Sequence, residues 1–261
     1  MTITMIYFKY IALVLRCKAQ YGLSLFLQTL AQFFASFSML AVIYLLFDRF
    51  GSLAGWTLGE VALCFAVTNL AVALSELFLR GFDLFSSFVT SGDFDRLLLR
   101  PRALALQVLG SEISIVRLGK LAQSIMTLAL AISWMDVSWT AGKVITLIFM
   151  VFGGVGIFGG ILILGAAFCF VTIQGLEVVN VFFDGGRELA SYPLSIYNKW
   201  VTRFFTFLIP FACVNYLPLR YIVSDGAPWG YILLPLVGVA FVLPCLAIWR
   251  LGVRKYLSTG S

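Results

Sequence analysis

The chain has 261 residues, of which 61% are hydrophobic and 11% charged, with 18 Lys and Arg against 12 Asp and Glu and no His. A soluble domain carries about a quarter charged residues, so this deficit places the chain in a lipid bilayer and leaves no polar stretch long enough for a large soluble domain. The lack of His excludes His-based acid–base, metal and phosphorelay mechanisms. The five cysteines, Cys17, Cys64, Cys169, Cys213 and Cys245, stand singly with no CxxC. They read as small apolar packing groups rather than a metal site or disulfide framework. The net charge of +6 belongs, in a membrane protein, to loops on one face rather than to nucleic-acid binding.

In chain order, residues 3–20 mix apolar side chains with Lys9, Arg16 and Lys18, and Ile6, Tyr10, Leu13 and Cys17 recur at helical spacing. This predicts an amphipathic helix lying in the membrane interface. The same scatter of charge speaks against a cleavable signal peptide. A first span is expected over about 24–47, uncharged until Asp48 and Arg49, which at about 1.5 Å per residue is long enough to cross the hydrocarbon core. A second follows over about 58–79, with Glu60 and Glu76 near its ends. After a polar stretch, spans are expected at about 118–135, 139–171 (one long helix or two pieces), 204–223 and 230–249. The fold class predicted is therefore all-α, a polytopic membrane protein of six transmembrane helices. Most basic residues, including Arg80, Arg96, Arg100, Arg102, Arg187, Lys199, Arg203, Arg250, Arg254 and Lys255, fall on one side of this scheme. Only Arg49, Lys143 and Arg220 fall on the other. The positive-inside rule then puts both termini in the cytoplasm.

The segment Thr90–Pro101 is a charged, leucine-rich patch between long apolar stretches. Ser91 suits a helix N-cap, and Asp93 and Asp95 suit the positive end of its dipole. Phe94, Leu97 and Leu98 share one face at i, i+3 and i+4, with Arg96 and Arg100 toward the other. Pro101 closes the helix, expected over about 91–99. An apolar ridge on the cytoplasmic surface needs cover, either from lipid headgroups or from a groove on a partner protein. Glu177, Asp184, Arg187 and Glu188 mark a second polar loop, read either as a solvated interfacial helix or as another partner contact. Gly156 and Gly160 form a GxxxG in the fourth span, which favours intramolecular helix packing over a dimer seam. Glu76 and Arg80, at i, i+4, are expected to pair. Prolines 210, 218, 228, 235 and 244 predict kinked or re-entrant helices in the last third.

Four stretches carry a resemblance: Arg80-Gly81-Phe82-Asp83; Gly92-Asp93-Phe94-Asp95-Arg96-Leu97-Leu98-Leu99-Arg100-Pro101; Gly185-Gly186-Arg187-Glu188-Leu189 with Tyr192-Pro193; and the tail from Trp249-Arg250 to Tyr256-Leu257-Ser258-Thr259-Gly260-Ser261. In this order and spacing the chain resembles the ABC-2 type exporter permeases. The resemblance implies a non-enzymatic membrane subunit in the cell membrane. It would pair with a second permease, identical or related, and be driven by cytoplasmic ATPase subunits. It also implies that Gly92, Asp93, Phe94, Asp95, Arg96, Leu97, Leu98, Arg100 and Pro101 form the coupling element, with Arg187 and Glu188 as a possible second contact. The chain has no GxxxxGK[ST] phosphate loop. ATP and Mg are therefore expected on the partner ATPase, with no cofactor or metal in this chain. An ion-coupled transporter acting without an ATPase is the alternative. It would need acids at mid-membrane, whereas Glu60, Glu76 and Glu177 fall near expected span ends.

Overall fold

The computed structural model describes residues 22–172, 176–224 and 226–256. The interfacial helix expected over 3–20, the side chain of Glu177 and the tail beyond residue 256 lie outside the described residues. Those residues form helices and no strand. Five helices are long and apolar enough to cross a membrane, and a sharply bent pair adds a sixth candidate. The chain is an all-α, polytopic membrane protein.

The first four long helices follow the sequence closely: α1 (Gly22–Phe50), α2 (Leu58–Phe78), and, beyond a connecting block of four short helices, α7 (Leu118–Trp134) and α8 (Ala141–Phe168). At the start of α2 the Thr57 backbone N–H donates to Glu60 Oε2 at 2.7 Å, so this acid closes a helix terminus, as in a capping box. The fourth span is one unbroken helix. Its N-cap, Thr140, accepts from the Lys143 backbone N–H at 3.4 Å. α12 (Leu236–Lys255) runs from Pro235 to the basic tail, six residues later than the expected sixth span at each end, because Pro228 and Pro235 hold the preceding chain in turns.

α8 is the axis of the bundle. Its glycine face lies on α12: a Cβ on Gly156 would strike the Gly238 carbonyl, and one on Gly160 would meet the Phe241 ring at 2.8 Å and Cys245 Sγ at 3.1 Å. Small residues here let two backbones approach within side-chain distance. The GxxxG therefore serves a seam inside the chain.

The last third differs from the sequence expectation. The segment read as a cytoplasmic loop forms α9 (Leu176–Ala190), which lies antiparallel along both α8 and α2. Gly165 faces Val179, Phe158 meets Phe183 edge to face at 5.3 Å, and Thr68 Oγ1 donates to the Ala190 carbonyl at 2.8 Å. Beyond the helix, Trp56 Nε1 donates to Ser195 Oγ at 2.9 Å. Because Trp56 sits in the α1–α2 loop, residues 176–195 climb the whole height of α2. The expected fifth span at 204–223 is instead a re-entrant pair, α10 (Lys199–Phe207) and α11 (Leu217–Val223), the latter preceded by a π-helical turn at Ala212–Tyr216. The pair is bent by 89° at Pro210, whose ring and missing N–H break the helical ladder. α10 starts just after Ser195, and α11 ends with Tyr221 beside Gly142 at the first turn of α8. Both arms thus open toward the same end of the bundle. This moves Lys199 and Arg203 away from the basic end and leaves Arg187 inside.

Candidate functional site

Four short helices connect α2 to α7: α3 (Arg80–Asp83), α4 (Phe85–Thr90), α5 (Asp93–Leu98) and α6 (Leu104–Ser111). α5 is the helix expected over 91–99. Its N-cap is Gly92 rather than Ser91, with φ +76° in the left-handed region that glycine enters without penalty. The Ser91 hydroxyl donates to Asp93 Oδ2 at 2.9 Å and accepts from the Asp93 N–H at 3.4 Å.

The expected outward ridge of Phe94, Leu97 and Leu98 is split. Phe94 is fully buried, edge-to-face with Tyr256 at 5.0 Å and Phe85 at 5.1 Å and tilted against Phe170 at 5.7 Å. Trp249 extends the cluster to Phe82 and Phe85, so the ends of α8 and α12 and the block α3–α5 form one aromatic body. Leu97 is half-buried against it. The i, i+3 face turns inward because the bundle lies directly beneath this helix; spacing alone does not say which side of a surface helix is wet. The outer face holds Leu98, Leu99, Arg96 and Arg100, with Pro101 and Arg102 behind them. Leu99 is 86% exposed, and Arg96 pairs with Asp93 at 3.3 Å. Gln107 Nε2 on α6 donates to the carbonyls of Leu97 (3.3 Å) and Arg102 (3.1 Å), fixing the C-terminal end of α5.

Next to this block a polar cleft enters the bundle between α1, α2, α7 and α9. Glu76 does not pair with Arg80. It forms an ion pair with Arg117 Nε at 3.3 Å and accepts from Lys120 Nζ at 3.2 Å, while Arg80 pairs with Asp83. The helix end after Phe78 turns Arg80 away, and the first turn of α7 with its N-cap, Arg117, brings two cations across. Burial pushes the Asp83 carboxyl above its usual range, against the pull of the Arg80 guanidinium. Arg117 also donates to Gln32 Oε1 on α1 at 3.5 Å. The cleft comprises a cavity of about 480 Å³ and an adjoining one of about 160 Å³. Arg187 lines both, held at 3.0 Å to Glu188 and 3.8 Å to Asp184. Glu188 lines the smaller cavity with Asn69 and Phe65, halfway along α2. Of the two residues expected as a second partner contact, Arg187 lines both cavities and Glu188 stands at the rim of the smaller one, its side chain 56% exposed. Deeper still, Asn215 Nδ2 donates to Thr68 Oγ1 at 3.0 Å and to the Ala190 carbonyl, pinning α2, α9 and the re-entrant pair together.

The family model for ABC-2 family transporter proteins matches residues 26–260. The chain belongs to the ABC-2 transporter family. No curated protein and no solved structure matches it. This ABC-2 chain is thus a multi-pass permease component of an ABC transporter, a membrane transport part of a family whose members associate with an ATPase subunit.

Within this ABC-2 permease, the residues that sequence reasoning misses are Gln32, Arg117 and Lys120. Their signal is present in the spacing: Arg117 and Lys120 stand i, i+3 at the mouth of an apolar span, a placement that needs a buried acid nearby. The sequence shows the acid, but local spacing points to a partner on the acid's own helix.

Proposed function

We propose that this chain is the membrane half of an ATP-driven exporter. It sits in the cytoplasmic membrane with both termini inside and moves its substrate outward by alternating access. A separate cytoplasmic ATPase pushes on α5, and a second permease subunit, identical or related, completes the path. The observation that carries this reading is the anchoring of α5. Its outer face, Leu98, Leu99, Arg96 and Arg100, offers a partner two leucines flanked by guanidinium groups. Its inner face is bolted through Phe94 to Phe170 at the end of α8 and Tyr256 at the end of α12. A load applied to such a helix passes to two long helices at once, because close-packed aromatic cores transmit strain rather than absorb it. Orientation rests on Arg80, Arg96, Arg100, Arg102, Arg250, Arg254 and Lys255, all at one end of the bundle, which the positive-inside rule assigns to the cytoplasm. Arg187, Lys199 and Arg203 no longer support it, and the remaining bias is sufficient. Arg187 and Glu188, lining the cleft, are assigned to the substrate side rather than to the ATPase.

The experiment is reconstitution of the permease with its ATPase in vesicles. Transport is expected to require ATP hydrolysis and to continue when the proton gradient is collapsed. Replacing Leu98 and Leu99 together by Ala is expected to uncouple hydrolysis from transport without unfolding the permease. Transport that ignores ATP and stops with the gradient would instead identify an ion-coupled carrier acting alone.

A further inference from the structure

We propose that the cleft between α1, α2, α7 and α9 is a binding site for an anionic headgroup, a phosphate-type or carboxylate group carried by a membrane amphiphile. The two cavities share three lining residues, Gln32, Lys120 and Arg187, one each from α1, α7 and α9. Each presents hydrogen-bond donors, and two are cations facing a common space. Lys120 is the built element: its side chain is 3% exposed, yet the residue lines both cavities. Glu76 is the carboxylate it reaches, and Glu76 is shared with Arg117. Two cations on one carboxylate leave positive charge on that wall. Arg80 adds nothing to the excess, because Asp83 matches it. Arg187 lines both cavities between Asp184 and Glu188, whose side chains are 65% and 56% exposed. Buried cations of this kind require an opposite charge or water, and an anion at the junction satisfies all three helices together.

The cavity volumes suit a headgroup and not a whole lipid. Gln32 lies on a helix whose neighbouring Leu30 and Phe34 are exposed, which leaves a lipid-facing track for alkyl chains beside the site. Calling this ligand the cargo rests on the exporter reading above; the binding itself does not.

The test uses the purified permease in phosphatidylcholine nanodiscs without any ATPase. Short-chain phosphatidic acid and inorganic phosphate are titrated separately and in competition, with bound ligand read by native mass spectrometry. Saturable binding of one anion per chain is expected. It should weaken about tenfold or more, the size of one lost charge-assisted hydrogen bond, in Lys120→Met and in Gln32→Glu, and stay unchanged in Arg254→Gln. Gln32→Glu is isosteric and gives Arg117 a second carboxylate, so it keeps the question answerable if Lys120→Met fails to fold. Preference for phosphatidic acid over inorganic phosphate assigns the site to an amphiphile; equal competition assigns it to a free anion and overturns the lipid source. No saturable binding, or equal loss in all three variants, overturns the site. A permease that transports with its ATPase but fails these tests loses only the anion site. One that binds the anion but is never driven by ATP loses only the exporter reading.

Discussion

Phe94 and Tyr256 meet edge to face with ring centroids 5.0 Å apart, so the short surface helix α5 and the end of the last long helix α12 are parts of one body. This contact separates two properties that sequence periodicity merges, the side of α5 that holds the fold and the side that is free to meet a partner.

Phe94→Ala is expected to cost about 3–5 kcal/mol, the usual range for deleting a buried ring, and to loosen the block α3–α5 as read by limited proteolysis. Leu99→Ala, at an exposed position, is expected to stay within about 0.5 kcal/mol of the parent while weakening co-purification with the ATPase. If Leu99→Ala were the destabilising variant, α5 would have to present its other face to the bundle.

The α8–α12 seam gives a second contrast. Gly156→Ala places a methyl group against the Gly238 carbonyl and is expected to destabilise the permease by about 1–3 kcal/mol through overpacking. Gly185→Ala, with open space around its Cβ and a helical neighbourhood, is expected to be neutral or stabilising by up to about 1 kcal/mol. Thermal unfolding in detergent compares the two directly.

Glu76→Gln removes the carboxylate shared by Arg117 and Lys120. Its side chain is 13% exposed and that of Lys120 3%, so the two cations lose their compensation where water helps little, at an expected cost of about 3 kcal/mol. Adding Lys120→Met to Glu76→Gln is expected to recover part of that loss. A double-mutant cycle showing simple additivity would mean that the pair does not interact.

The height of α9 is checked by single cysteines at Asn180 and Ser195 in a permease whose own cysteines have been replaced. An impermeant maleimide is expected to label position 180 from the side of the basic tail and position 195 from the opposite side. Labelling of both from one side would return residues 176–195 to a surface loop.

How far the fold is legible in the sequence can be judged helix by helix. α1, α2, α7 and α8 announce themselves because each is a long run with few charges, and hydropathy alone suffices. α9 does not, because Asp184, Arg187 and Glu188 give it the composition of a cytoplasmic loop. It is stable in the bundle because its other face, with Val179, Phe183 and Gly186, packs on α8 and Phe211. The prolines predict kinked or re-entrant helices in the last third without choosing between them; the pair bent by 89° at Pro210 opens both arms toward one end. In the segment 91–99, periodicity finds the helix but not that its apolar ridge is split, with Phe94 buried and Leu98 exposed. In the cleft Glu76 stands out, whereas Arg117 and Lys120 look like loop charges at the edge of a span.

The charged face of α9 also bears on how the protein is made. Asp and Arg at the centre of a helix each oppose transfer from the translocon to lipid by about 2.5–3.5 kcal/mol, so α9 is a poor substrate for insertion on its own. The hydroxyl of Thr68 and the amide of Asn215, which both converge on the Ala190 carbonyl, come from segments synthesised before and after it. The packing of α9 against α2 is therefore completed only once residue 215 has been synthesised. Until then the α8–α9 hairpin lacks the Asn215 tie to the Ala190 carbonyl.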